Sequence, residues 1–213
     1  MTHLQAFDAA FAAMPLVAIL RGLQPHEAEA TGEALVGAGF TLVEVPLNSP
    51  QPFDSIARLA RVLEGRACVG AGTVLDPADV ARVGDAGGTL VIAPNANPRV
   101  IAAAAQAGFV AMPGIATPTE AFAALEAGAV ALKLFPAEGA SPAVVKAMLA
   151  VFPKGTRVLP VGGIGPDSMA PWRAAGAAGF GLGSALYTPG QDAAATAERA
   201  ATFVAQAREL FAL

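Results

Sequence analysis

Two ionisable side chains sit inside apolar runs, where a solvated surface charge is out of place. Lys133 lies in Val130-Ala131-Leu132-Lys133-Leu134-Phe135-Pro136, and Glu44 lies in Val43-Glu44-Val45. Burying an unpaired ammonium is costly, and desolvation favours the neutral amine, which is the nucleophilic form. Such a lysine suits Schiff-base formation with a carbonyl carbon, and a carboxylate beside it suits proton transfer. Two plainer readings stay open: a lysine reaching solvent from a strand end, and a structural carboxylate paired with Arg21 or Lys133. The other lysines, Lys146 and Lys154, lie in a helix-like stretch and a turn.

Two glycine-rich turns offer a second kind of chemistry. They are Val161-Gly162-Gly163-Ile164-Gly165-Pro166 and Gly181-Leu182-Gly183-Ser184-Ala185. Glycines let backbone N–H groups approach an anion, and a following helix N-terminus adds favourable partial charge, so both are phosphate candidates. The alternative is that they merely permit tight turns. Arg21, Asn48, Thr73 and Asn95 are further polar residues that directly follow apolar runs.

The elements that must position these residues repeat with a regular beat. Gly39, Gly65, Gly87, Gly108, Gly128, Gly155 and Gly176 each end a helix-like stretch and precede an apolar run, at intervals of 20 to 27 residues. Strands are predicted at 16–20, 41–45, 67–71, 89–93, 109–112, 129–134, 157–161 and 179–182. Helices are predicted at 25–38, 51–63, 76–86, 97–107, 118–127, 141–151, 166–175 and 192–211, and one at 3–13 could plug the N-terminal mouth. Near-continuous apolar strands alternating with helices imply a parallel sheet, and eight units imply a single (β/α)8 TIM barrel over residues 1–213, of class α/β. An open doubly wound sheet is the rival, but Leu20-Arg21-Gly22-Leu23-Gln24-Pro25 lacks the dinucleotide-binding glycine pattern.

In such a barrel chemistry sits at the C-terminal strand ends, where the polar residues above collect. Strand alternation turns Glu44 inward and Val43 and Val45 toward the helices. Lys133 then shares the inner face with small Ala131, while Leu132 and Leu134 point outward. Phe7, Phe11, Phe122, Phe203 and Phe211 fall at helical spacings and are expected in the core.

Composition narrows the function classes. Hydrophobic residues make up 54% of the 213 and charged residues 14%, with mean hydropathy +0.54, yet no uninterrupted apolar stretch reaches about 18 residues. A membrane span is not expected, and the N-terminus has no basic region before an apolar core, so no signal peptide is expected either. The net charge of −4 and absence of a basic stripe argue against a nucleic-acid partner. One cysteine, Cys68, fits a reducing cytoplasm and is expected as a small buried residue. Only His3 and His26 occur, and no His/Cys cluster has metal-ligand spacing. So little surface charge suggests an oligomer.

Taken together, Ala18-Ile19-Leu20-Arg21-Gly22, Val43-Glu44-Val45-Pro46-Leu47-Asn48-Ser49-Pro50, Val69-Gly70-Ala71-Gly72-Thr73-Val74-Leu75, Leu132-Lys133-Leu134-Phe135-Pro136 and the two glycine-rich turns resemble the class I aldolase family that cleaves 2-keto-3-deoxy-6-phospho sugar acids. The resemblance implies that Lys133 forms the Schiff base, with no metal or other cofactor, and that Glu44 transfers protons. It implies that Arg21 and Thr73 bind substrate, Thr73 near the pyruvyl carboxylate, and that Gly162, Gly163, Gly183 and Ser184 bind phosphate. It also implies a homotrimer acting on a small sugar-acid phosphate. Members acting on the gluconate-derived substrate typically carry Arg where this chain has Asn48 and Thr where it has Val161. Those two positions resemble the branch acting on 2-dehydro-3-deoxy-6-phosphogalactonate, the C4 epimer. The competing readings are the gluconate-derived C4 epimer as main or shared substrate, another phosphate-binding barrel enzyme, such as an isomerase or a thiamin-phosphate-synthase-like transferase, and a non-catalytic sugar-phosphate binder.

Overall fold

Proline and capping side chains start the helices, and left-handed glycines end the units. Pro52, Pro77, Pro98, Pro118 and Pro142 each open a helix at its first turn, where the missing N–H costs nothing. Asp76, Asn97, Thr117 and Asp192 accept from first-turn backbone N–H groups. All seven glycines of the repeating beat have positive φ, from +72° to +117°.

The computed structural model describes residues 1–213. In chain order the elements are α1 (His3–Ala13), β1 (Leu16–Ile19), α2 (Ala28–Ala38), β2 (Leu42–Pro46), α3 (Pro52–Val62), β3 (Cys68–Gly72), α4 (Pro77–Asp85), β4 (Leu90–Ile92), α5 (Pro98–Gln106), β5 (Val110–Met112), β6 (Gly114–Ile115), α6 (Pro118–Glu126), β7 (Leu132–Leu134), α7 (Pro142–Leu149), β8 (Val158–Pro160), α8 (Met169–Ala174), β9 (Phe180–Leu182) and α9 (Ala193–Phe211). Short 3₁₀ turns span Ala137–Gly139 and Pro166–Ser168.

Every strand pair is parallel. One sheet runs β5-β4-β3-β2-β1-β9 and the other β6-β7-β8. β5 matches the expected fifth strand, and Pro113 separates it from β6, a short piece that was not expected: a proline cannot donate to the ladder, although its carbonyl accepts from Lys133 N–H at 2.9 Å. A parallel bridge between Val161 and Gly181 joins β8 to β9 and closes the curled sheet into a barrel. The α/β barrel expectation is met.

Side-chain alternation separates two apolar layers. Val43, Val45, Leu132 and Leu134 pack outward among the helices, as expected. Val17, Leu42, Leu90, Met112, Ala131 and Leu159 fill the barrel interior, and Phe7 and Phe11 from α1 close its N-terminal mouth. Burying a valine, leucine, methionine or phenylalanine side chain contributes about 1.5–3 kcal/mol.

Four expectations need correction. Residues 25–27 form a turn before α2, and residues 166–168 are 3₁₀ ahead of a short α8. Phe122 is 45% exposed on α6, its ring edge-on to Phe152, and so lies outside the core. Cys68, at the first position of β3, is only half-buried, and partial burial pushes its thiol pKa up.

Candidate active site

Register sets the two central residues. On β2, Glu44 lies between Ile19 of β1 and Gly70 of β3. On β7, Lys133 lies between Gly114 of β6 and Leu159 of β8. Both side chains turn into the barrel, and Lys133 Nζ comes within 3.9 Å of Glu44 Oε1, with the lysine side chain 8% and the glutamate 2% exposed. Gly70 and Gly72 keep the interior clear. A Cβ at Gly70 would strike the Leu90 backbone, and one at Gly72 would overlap the Glu44 carboxylate.

The pair is close but not saturated. Glu44 Oε2 is buried and has no hydrogen-bond partner. Burial raises the Glu44 pKa above the ordinary glutamate value, against the opposing pull of the Lys133 and Arg21 charges. Glu44 therefore holds a proton more readily than a free glutamate. A crevice of about 10 Å³ beside Glu44, Lys133 and Val161 is close to the smallest space that holds one water.

Above the pair opens a pocket of about 540 Å³ at the C-terminal mouth. Of the residues singled out from sequence, Arg21, Lys133, Val161, Gly162, Gly163, Gly183 and Ser184 line it. Glu44 sits beneath. Asn48 stands outside the lining, but its Oδ1 accepts from Arg21 Nη1 at 2.7 Å and so holds the guanidinium. Thr73 lines neither cavity. It directly follows β3 and Gly72, with φ +56°, a left-handed conformation that a β-branched residue rarely adopts.

Several site residues were not singled out from sequence. Phe135 lies on the same alternating face as Lys133, with Lys133 Nζ 5.0 Å from its ring centre, so strand period alone could have found it. Ser49 Oγ accepts from Gly22 N–H at 2.9 Å and ties the loop after β1 to the loop after β2. Tyr187 lines the pocket and donates to Glu27 Oε2 at 3.3 Å. Burial, then the Glu27 charge, pushes its hydroxyl up to about 12, so it stays protonated. Glu138 lines the pocket beside the Gly162–Gly163 turn. Nothing in local sequence announces these last three, because they act across loops distant in the chain. No three His, Cys, Asp or Glu side chains gather as a metal-ligand cluster, and no helix is long and apolar enough to cross a membrane.

A buried amine beside a buried carboxyl group, at the base of a pocket in a (β/α)8 barrel's C-terminal mouth, is the arrangement of a barrel enzyme. Comparison with known proteins supplies the class. Residues 7–198 match the KDPG and KHG aldolase model, and the chain belongs to that aldolase family. It is 48% identical over 196 residues to 2-dehydro-3-deoxy-6-phosphogalactonate aldolase of Escherichia coli (strain K12), covering 92% of this chain and 96% of that protein. It is also 48% identical over 186 residues to a probable 2-dehydro-3-deoxy-6-phosphogalactonate aldolase of Rhizobium meliloti (strain 1021), covering 87% and 88%. A solved structure described as native KDPGal superposes with a TM-score of 0.92 at 48% identity, covering 94% of this chain and 97% of that one.

Proposed function

We propose that this chain, acting as one catalytic domain, cleaves 2-dehydro-3-deoxy-6-phosphogalactonate to pyruvate and D-glyceraldehyde 3-phosphate through an imine on Lys133. The observation that carries the reading is the buried 3.9 Å approach of Lys133 to Glu44. The 48% identical relatives named above support the choice of substrate.

The Lys133 amine adds to the C2 ketone, and loss of water leaves a protonated imine. Glu44, directly or through one water, takes the proton of the C4 hydroxyl. The C3–C4 bond breaks, its electron pair passes into the C2–C3 enamine, and the imine nitrogen is neutralised. D-Glyceraldehyde 3-phosphate leaves, C3 takes up a proton, and water hydrolyses the imine to free pyruvate and Lys133. A raised Glu44 pKa suits a group that must both accept and return a proton. No metal or other cofactor enters this sequence.

The phosphoryl end of the substrate would lie against the backbone of Gly162, Gly163 and Gly183 and the Ser184 hydroxyl, which line the same pocket as Lys133. Arg21, held by Asn48, would meet the hydroxylated carbons between the two ends. Thr73, just after β3 and beside Gly72, would meet the pyruvyl carboxylate. Phosphorylated substrate and product do not cross membranes unaided, which supports action in the cytoplasm. The exposed Phe122 and Val151, 45% and 60% accessible, support burial against further copies of the chain in a homotrimer.

The test is pyruvate release from each C4 epimer, followed with a coupled lactate dehydrogenase. The galactonate-derived epimer should show the higher kcat/KM. Preference for the gluconate-derived epimer would overturn the substrate assignment, and no pyruvate from either would overturn the reaction.

A further inference from the structure

Glu138 is a carboxylate placed where the substrate reading puts a phosphate. The 3₁₀ turn that carries it is pinned to the end of β8, because Ala137 N–H donates to the Val161 carbonyl at 2.9 Å. From there the side chain lies over both glycines of the next turn. A Cβ at Gly162 would collide with Glu138 Oε2, and one at Gly163 would lie 2.9 Å from Glu138 Cγ. Their φ of +109° and +65° require glycine at both positions, and the missing Cβ atoms leave room for the Glu138 side chain to lie over the turn. The carboxylate enters no ion pair and makes no capping hydrogen bond in its own turn. It faces the same pocket as Ser184, Arg21 and Lys133.

We propose that Glu138 limits how tightly the pocket holds the phosphoryl end of its ligands: its carboxylate covers the Gly162–Gly163 turn when no phosphate is bound and repels the anion that takes its place. The inference rests on the reading of that turn as the phosphate site. Glu138 is exposed, and two like charges a few ångströms apart in a water-filled pocket lower affinity by about three- to tenfold. Such a penalty speeds the departure of D-glyceraldehyde 3-phosphate, and product release limits turnover in many enzymes. Glu138 is then a specificity-determining residue, since a ligand without phosphate escapes the repulsion.

Inorganic phosphate, tested as an inhibitor competitive with substrate, separates the outcomes. Glu138→Gln keeps the shape and removes the charge, and should lower the phosphate inhibition constant about three- to tenfold at low ionic strength. The gap should close near 1 M salt, where charges are screened within about 3 Å. Ser184→Ala should raise the same constant. An unchanged or weaker inhibition of Glu138→Gln, with Ser184→Ala still raising the constant, would overturn the role of Glu138 and leave the phosphate site standing. Absence of competitive inhibition in the parent enzyme, with Ser184→Ala indistinguishable from it, would overturn both.

Discussion

The Glu44 carboxylate packs against the Cα of Gly72, occupying the space where any other residue would place its side chain. Gly72 lies in an extended strand, so alanine is allowed there by backbone conformation and excluded only by Glu44. Gly72→Ala should displace the carboxyl group and lower kcat by about 10²-fold, the size of effect expected of a misplacement near 1 Å. In a Glu44→Ala background the same substitution should add little, as a double-mutant cycle on kcat would reveal. Full activity in Gly72→Ala would mean that the position of Glu44 does not matter.

Glu44→Gln should lower kcat by about 10²–10⁴-fold, measured by pyruvate release. Its effect on stability runs with pH in a defined direction. Burial raises the folded-state pKa of Glu44 above the unfolded value near 4.5, so the folded chain resists losing this proton. The stability that the raised pKa lends is therefore present below pH 4.5 and is lost as pH climbs through the folded pKa. Glu44→Gln, which never ionises, should gain in Tm relative to the parent as pH rises from about 4.5 to 8. A gap that shrinks over that range would show that attraction from Lys133 outweighs burial.

Thr73 holds a positive φ that costs a β-branched residue about 1–3 kcal/mol. Thr73→Gly relieves the strain and adds chain entropy in the unfolded state, for a net gain of up to about 2 kcal/mol by denaturant unfolding. The same substitution should raise KM for substrate, if the strain serves to aim the hydroxyl. Loss of stability together with unchanged KM would contradict a functional origin of the strain.

Asn48 fixes the Arg21 guanidinium at 2.7 Å. Asn48→Arg puts a second guanidinium against the first and should push Arg21 away, shifting the ratio of kcat/KM values toward the gluconate-derived epimer by about tenfold or more. Asn48→Ala should raise KM for both epimers while changing their ratio less. An unaltered ratio in Asn48→Arg would remove this pair from stereochemical selection.

The fold was largely legible in the chain because its punctuation is local. Seven glycines end their units with positive φ, and Ala131 and Lys133 share the inner face as alternation requires. What escaped is what period cannot encode. Pro113 sets off the short β6 through one missing donor, and Phe122 sits at a helical spacing that fits the core yet is 45% exposed on α6. In the site, Lys133 and Glu44 stood out because charge is rare in buried strands. Glu138, Ser49 and Tyr187 did not, because each gains its meaning from a partner on another loop, in Gly163, Gly22 and Glu27.

The central claim is that Lys133 carries the covalent intermediate. Incubation with pyruvate and borohydride, followed by intact-protein and peptide mass spectrometry, tests it most directly. One reduced pyruvyl group should appear per chain, on the peptide that contains Lys133, and Lys133→Ala should take up none while remaining folded. A pyruvyl group on Lys146 or Lys154, or pyruvate release by Lys133→Ala at the parent rate, would contradict the account.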